Sequence, residues 1–181
     1  MVIANFKVME KYNALINQKI CASISTIPSE TLWQDQKAFF SSILATLNHL
    51  MVGDLIWLNR FNKHPNYPTG VKALESLQEF ALPSSLTQIL FEDKQNFITA
   101  RQALDQVTIE FINELNEDDC LSILSYQSTK GEVFKKPFFM LLQHLFNHQT
   151  HHRGQVTTLL SQIGIDIGET DLLILIPSVN S

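Results

Sequence analysis

The sequence contains little cysteine and no long uninterrupted run of apolar residues. Its two cysteines, Cys21 and Cys120, lie far apart and form no CxxC pattern, so neither a disulfide framework nor a zinc knuckle is indicated. Buried, inert thiols are the simpler interpretation. The longest apolar runs, 138–142 and 172–176, fall far short of the about 20 residues that a membrane-spanning helix needs. We therefore expect no disulfide and no membrane-spanning segment.

The chain also lacks an excess of positive charge. Its net charge is −5, and no dense run of lysine and arginine offers a local attraction for phosphate backbones, so a nucleic-acid partner is not expected. Apolar residues make up 45% and charged residues 17% of the 181 residues, which is typical of one soluble globular domain over 1–181. Charges at positions 7, 10 and 11 interrupt any apolar core of a secretory signal peptide. The cytoplasm is the expected compartment.

Several motifs of common active sites are missing. The sequence has no glycine-rich phosphate loop, no HExxH motif, and no Glu-x-x-His pair on each of two helices, as di-iron bundles have. These absences argue against phosphate-loop, HExxH-type zinc and ferritin-like sites. Ser-His-Asp catalysis stays open, although no nucleophile-elbow pattern supports it.

Apolar residues recur at helical spacing along most of the chain, which predicts an all-α fold. Four helices of comparable length make a four-helix bundle the simplest architecture. Ser84 or Ser85 is a good N-cap for the third of them. The four predicted helices span about 3–25, 37–60, 84–116 and 137–163.

Shorter elements are predicted between and after these helices. Two short runs, 123–127 and 132–134, flank the turn signal of residues 128–131 and predict a β-hairpin before the last helix. Residues 71–80 are expected to form a short helix. In the tail 165–181, the segment 172–176 is too apolar to stand alone, so we expect it to pack on the bundle or on a partner chain.

Histidines supply the chemical signal. His148 and His152 are four residues apart, which places both imidazoles on one face of a helix, where they can chelate one metal ion. His144 lies eight residues from His152, roughly 12 Å along the axis, and cannot share that ion. A third imidazole must come from elsewhere. The candidates are His49, in the middle of the second predicted helix, and His64, in a loop rich in proline and asparagine.

The residues around these histidines resemble a known family. The segment 146–155, Phe-Asn-His-Gln-Thr-His-His-Arg-Gly-Gln, is followed by Leu159, Leu160 and Gly164 and is similar to the signature of the DinB family, the YfiT-like metal-binding bundles. Residues 46–49, Thr-Leu-Asn-His, with Asp54, Trp57 and Leu58, resemble the second-helix motif of that family. The resemblance extends over nearly the whole chain.

The resemblance implies a divalent metal ion on three histidines, which correspond to His49, His148 and His152 here. It also implies an up-down-down-up helix order and a homodimer. In some branches it implies thiol-dependent chemistry, such as bacillithiol or mycothiol S-transfer and maleylpyruvate isomerisation. His64 is expected to be solvated, because it lies in a proline-rich loop.

Other residues near the motif have less defined expected roles. His144 and His151 are interpreted as second-layer, rim or interface groups. Arg153 can contact an anionic substrate, although a role at the helix end or across an interface is favoured.

Amide side chains and one glycine complete the candidates. Asn48, Asn147 and Gln155 are candidates for hydrogen bonds to the ligand imidazoles or to a metal-bound molecule, and each can equally fill a packing need. Gly154 has no Cβ and is expected where another helix or a partner chain approaches closely.

Three neutral imidazoles without a thiolate suit Zn, Ni, Fe or Mn and leave a coordination position open. The first hypothesis is therefore a metal-dependent enzyme, a thiol S-transferase or hydrolase, that activates a low-molecular-weight thiol or water towards a small electrophile. The alternative is a non-catalytic, dimeric metal- or ligand-binding bundle of the stress response. A third hypothesis is an ion that only holds the bundle together. A roomy polar cleft at the ion favours the enzyme, and exposed apolar residues in the tail favour the alternative.

Overall fold

Four long helices carry the fold, and a β-hairpin precedes the last of them, as predicted. A computed structural model describes residues 2–176 and 178 of the chain. The elements are α1 (Val2–Ser25), α2 (Ser29–Trp33), α3 (Ile43–Phe61), α4 (Lys94–Glu114), α5 (Glu117–Leu121), β1 (Ile123–Gln127), β2 (Val133–Pro137) and α6 (Phe138–Gln162), with 3-10 turns over Lys72–Glu79 and Leu172–Leu175.

Contacts at both ends show that α1 and α4 run in opposite directions. The backbone amide of Val2, at the start of α1, donates to Glu117, just beyond the end of α4, over 3.1 Å. At the other end, Lys94 at the start of α4 donates to the carbonyl oxygen of Ser25 over 3.0 Å.

The last helix runs parallel to the first and antiparallel to α3. Along α1 and α6, the ring of Phe6 stacks on that of Phe146 with centroids 6.1 Å apart. About two turns further along both helices, Arg153 donates to the backbone of Asn13. Between α3 and α6, the C-terminal Phe61 meets the N-terminal Phe138 at 5.2 Å. These directions give the up-down-down-up order that the family resemblance implies.

The second predicted helix begins later than its apolar stripe indicates. It was expected from Lys37, but α3 begins at Ile43, and the side chain of Ser42 caps it by accepting from the amide of Ala45 at 3.1 Å. Lys37 and Ser41 have φ angles of 56° and 60°, which a right-handed helix excludes. The segment before α3 is therefore a tight turn.

The third predicted helix is also shorter than expected. Neither Ser84 nor Ser85 caps it, because α4 begins at Lys94, where Asp93 accepts from the amide of Asn96 at 2.9 Å. The end of the preceding segment is held against α3 by the side chain of Asn48, which accepts from the backbone amides of Leu90 and Phe91.

One continuous apolar core lies between the four helices. Both cysteines are buried and free, as expected, and burial raises the pKa of Cys21 to about 12. The largest fully buried side chains are those of Phe6, Phe61, Phe97, Phe111, Phe138 and Phe146.

A charged group sits inside this core, between the helices. Arg101 on α4 donates to Asp54 on α3 at 2.6 Å, and its other terminal nitrogen lies 2.8 Å from Asp105. Asn17 on α1 donates to Asp105 at 2.8 Å, and Gln149 on α6 donates to Asp54. This buried network therefore joins all four long helices.

The hairpin is antiparallel, with Tyr126 paired to Phe134, and its second strand leads directly into α6. It lies against the bundle through Tyr126, whose ring centroid is 5.3 Å from that of Trp57 on α3. The hairpin thus forms a wall beside the C-terminal part of α3.

The tail packs partly on the bundle. The hydroxyl of Tyr12 on α1 donates to the carbonyl oxygen of Thr170 at 2.7 Å, and the 3-10 turn that follows contacts α1. Leu173 and Ile176 are 72% and 53% exposed. The end of the predicted tail, residues 177 and 179–181, lies outside the described residues.

Within the described residues, every helix is too short or too polar to cross a membrane.

Candidate metal centre

Three imidazoles, one from α3 and two from α6, meet between these antiparallel helices. The ring centroids of His49 and His148 are 5.0 Å apart, and that of His152 lies 4.6 Å from each of them. One ring nitrogen from each histidine lies within 4.8 Å of the others, a spacing that can hold one metal ion. The residues that the resemblance implies as ligands therefore converge.

Hydrogen bonds fix the orientation of two of the rings. His49 Nδ1 lies 2.8 Å from the carbonyl oxygen of Leu86, and His152 Nδ1 lies 2.7 Å from Gln155 Oε1. Because both partners only accept hydrogen bonds, each Nδ1 carries the proton and each Nε2 keeps a free lone pair. This is how metal-binding histidines are usually oriented.

The spacing of the facing nitrogens also fits a tetrahedral ion. His49 Nε2 and His148 Nε2 are 3.1 Å apart. Zinc–nitrogen bonds of about 2.0–2.1 Å in tetrahedral geometry place two ligand nitrogens roughly 3.3 Å apart. The separation is therefore close to that of two ligands on one ion.

His148 stands in a cradle made by a glycine. A Cβ built on Gly53 of α3 lies 2.7 Å from Cε1 of the imidazole, so only glycine leaves room for the ring. His148 Nδ1 is buried without a partner within the described chain. Burial, and then the neighbouring His152 and His49, lower the pKa of His148 to about 3. The ring is therefore neutral and able to offer a lone pair.

Phe40 closes one side of the histidine group. Its ring stacks on His49 with centroids 4.0 Å apart and meets the edge of His152 at 5.5 Å. Phe40 belongs to the turn before α3. Sequence reasoning missed this contact, because Phe40 also fits the apolar stripe of the helix predicted from residue 37.

A cleft of about 330 Å³ opens onto His49 and His148. It runs along α3 towards the hairpin, and aromatic side chains form much of its wall. The residues that line it are His49, Gly53, Ile56, Trp57, Arg60, Leu86, Tyr126, Ser128, Thr129, Phe134, His144 and His148.

The predicted neighbours of the ligands divide between two roles. Gln155 accepts a hydrogen bond from His152 and so orients this imidazole, which is one of the two roles expected of it. Asn48 instead accepts from the amides of Leu90 and Phe91 at 2.8 and 2.9 Å, so it holds the segment before α4 against α3.

The other polar residues of the motif lie outside the group. Asn147 is exposed and accepts from Gln143 at 3.0 Å. His151 is exposed, with its ring centroid 4.7 Å from that of His152. A Cβ on Gly154 meets no atom within 4 Å, so no helix of the described chain approaches it there.

Arg153 is turned into the bundle, away from the cleft. It donates to the carbonyl oxygen of Asn13 at 3.0 Å and to the side chain of Asn13 at 2.5 Å. Its guanidinium also lies 5.2 Å from the ring centre of Tyr12. The residue therefore joins α6 to α1.

The prediction that His64 is solvated is wrong, since this side chain is 1% exposed. Its Nδ1 accepts from the amide of Asn66 at 3.2 Å, so the proton sits on Nε2, which faces Ser122 Oγ at 2.7 Å and the carbonyl oxygen of Asp119 at 3.2 Å. An imidazole in this tautomer cannot take a proton from Ser122. His64 thus holds its loop in place.

His144 stands at the rim of the cleft. Its ring centroid lies 5.0 Å from that of Trp57 and 6.2 Å from that of His148. Partial burial, with the positive charges of Lys136 and Arg60, lowers its pKa below the usual range. It is therefore neutral at pH 7.

The fold and the site together define a class: an up-down-down-up helical bundle with a three-histidine group that can hold a metal ion. The chain belongs to the DinB family, whose model matches residues 1–178. It is 27% identical over 177 residues to Protein DinB of Bacillus subtilis (strain 168). The aligned region covers 92% of this chain and 90% of the Bacillus protein. No solved structure matches the chain significantly.

The cradle at Gly53 gives a first testable prediction. In Gly53→Ala the new methyl group displaces the His148 ring, so we expect zinc affinity to fall by at least about tenfold, as for other changes that disturb ligand orientation. Competition against a chromophoric chelator measures the affinity. Gly154→Ala, also on a long helix but in open space, is the matched control. Equal affinities in the two variants would contradict the prediction.

Proposed function

We propose that this protein is a metal-dependent enzyme in which His49, His148 and His152 hold a divalent ion, with Zn, Ni, Fe and Mn as candidates. The observation that supports the proposal most strongly is the cleft, which opens onto two of these three imidazoles. A site that serves only to hold helices together needs no such opening.

The chain's own residues supply the orientation and the environment of the reaction. Leu86 and Gln155 hold two imidazoles in the tautomer that binds metal, and the ring of Phe40 packs against His49 and His152. When bound, a divalent ion with three protein ligands provides an open position at which water or a thiol loses its proton near neutral pH.

The composition of the cleft favours a thiol over water as the nucleophile. The active site of a metal hydrolase commonly includes a carboxylate base, and the described residues that line this cleft include neither aspartate nor glutamate. A thiolate needs no such base once it is formed, and its soft sulfur suits an aromatic, largely apolar cleft. In the proposed reaction the sulfur forms a bond to an electrophilic carbon, and the leaving group departs with its electron pair.

A direct assay tests this function. Metal-stripped protein, reloaded separately with each of the four ions, is mixed with cysteine or glutathione and 1-chloro-2,4-dinitrobenzene, and the thioether is followed by its absorbance. We expect at least one loaded form to exceed the stripped protein by about tenfold or more. Hydrolysis of an activated ester by the same samples tests water as the nucleophile. If all loaded forms are inert in both assays, the enzyme proposal is wrong.

A non-catalytic, dimeric bundle is the second candidate, and the tail supports it. Leu173, Ile174 and Ile176 expose apolar side chains at the end of the described chain, a feature common to surfaces that bind a partner. Protein that holds metal, is inert in the assays above and forms a dimer by light scattering would favour this candidate.

A further inference from the structure

Arg60 differs from the other two arginines of the chain. Arg101 pairs with buried carboxylates, and Arg153 donates to Asn13. For Arg60, no hydrogen bond or ion pair of the guanidinium exists within the part of the chain that the structure describes. Its Cζ instead lies 4.6 Å from the ring centre of Trp57 and 5.0 Å from that of Tyr126. Half-buried among aromatic rings, it keeps its hydrogen-bond donors free.

Arg60 stands where two hollows join. The cleft at the histidines continues into a second hollow of about 250 Å³, and both are lined by Ile56, Arg60 and Thr129. Lys63 also lines the second hollow. We name the two together the arginine cleft. Along α3, His49 and Arg60 are eleven residues apart, so the two ends of the cleft are about 16 Å apart at the backbone.

The charge of the arginine cleft is opposite to that of the chain. The described residues that line it include no aspartate or glutamate, although the sequence has 18 acidic residues against 13 lysines and arginines. Lys136 adds a further positive charge, 5.4 Å from the ring centre of Phe134 in the wall. Positive groups in a concave, partly apolar surface attract small anions more strongly than the net charge of −5 indicates.

We propose that the arginine cleft binds a small organic anion, whose apolar or aromatic body lies against Trp57, Tyr126 and Phe134 and whose carboxylate or phosphate group is held by Arg60. The planar guanidinium can bond two oxygens of either group at once. The ring faces beneath it restrict its orientation. Identifying this anion as the substrate rests on the proposed function, but the binding itself does not.

Three probes of similar shape test the proposal: benzoate, phenyl phosphate and neutral benzamide. Their affinities are measured by NMR titration of the full chain, with and without zinc. We expect both anions to bind at least about tenfold more tightly than benzamide, since a charge-assisted hydrogen bond contributes more than a neutral one. Arg60→Gln should remove this preference, and Arg60→Lys should restore part of it. Lys72→Gln removes the same charge at an exposed position outside the cleft and should leave the preference unchanged.

The outcomes separate the two proposals. An anion preference that occurs only with zinc and survives Arg60→Gln would place the anion on the ion, which overturns the inference but not the metal site. A preference that depends on Arg60 in protein that binds no metal would support the inference while the proposed function fails. If Arg60→Gln does not fold, the wild-type comparison decides, because equal affinities for benzoate and benzamide overturn the inference.

Discussion

Replacing His148 with alanine is expected to abolish metal binding. Wild-type protein should hold close to one divalent ion per chain, and His148→Ala should hold less than about a tenth as much after the same purification. The reason is geometric, because the three ring centroids lie 4.6 to 5.0 Å from one another and Nε2 of His148 lies 3.1 Å from Nε2 of His49. Two remaining imidazoles are too few for the three-ligand site that such ions require.

Elemental analysis of both proteins measures the effect, and a neighbouring histidine provides the control. His151 lies on the same helix but is exposed and outside the converging group. His151→Ala should therefore retain the wild-type metal content. Circular dichroism should show the same helix content in all three proteins. If His148→Ala and His151→Ala hold equal amounts of metal, the ligand assignment is wrong.

Local sequence spacing predicted part of this centre. The spacing of His148 and His152 is enough to place two imidazoles on one face of a helix, because helix geometry is fixed by the backbone. Spacing alone left His49 and His64 as equal candidates for the third ligand. Only the family resemblance selected His49, since a contact between α3 and α6 depends on how the helices pack.

The parts of the site that were missed all depend on tertiary contacts. Gly53 matters because the ring of His148 lies against it, and Phe40 matters because a turn brings it over His49. Leu86 contributes only its backbone carbonyl oxygen, a group that every residue has, so its residue type does not indicate this role. The solvated interpretation of His64 failed because prolines and asparagines indicate a loop but not whether an imidazole is buried beneath it.

The helix starts were misplaced for a related reason. Apolar residues at 37–42 and 84–92 continue the helical period, so periodicity extends both helices too far. The true starts depend on capping by Ser42 and Asp93 and, for α4, on a distant side chain, Asn48, that bonds the preceding segment. Competing caps of similar quality cannot be ranked without such contacts.

The buried network around Arg101 was not predicted at all, and it supports the largest expected effect on stability. Arg101 is about 3% exposed and lies between Asp54 and Asp105, which are also buried. A charge in the apolar interior is tolerated only with its partners present. The same network reaches Gln149, the residue after His148, so it also supports the helix that carries two of the proposed ligands.

Arg101→Met is therefore expected to lower the free energy of unfolding by about 3–5 kcal/mol, the usual cost of removing one partner from a buried ion pair. The methionine fills much of the space but leaves Asp54 and Asp105 without their cation. Urea denaturation followed by circular dichroism measures the change. Lys37→Met is the control, because it removes the cation of an exposed ion pair with Asp35, in which the Lys37 side chain is 88% exposed. Solvent screens that pair, so this variant should leave the denaturation midpoint nearly unchanged. Similar midpoints for the two variants would show that the buried cation contributes no more than a surface one.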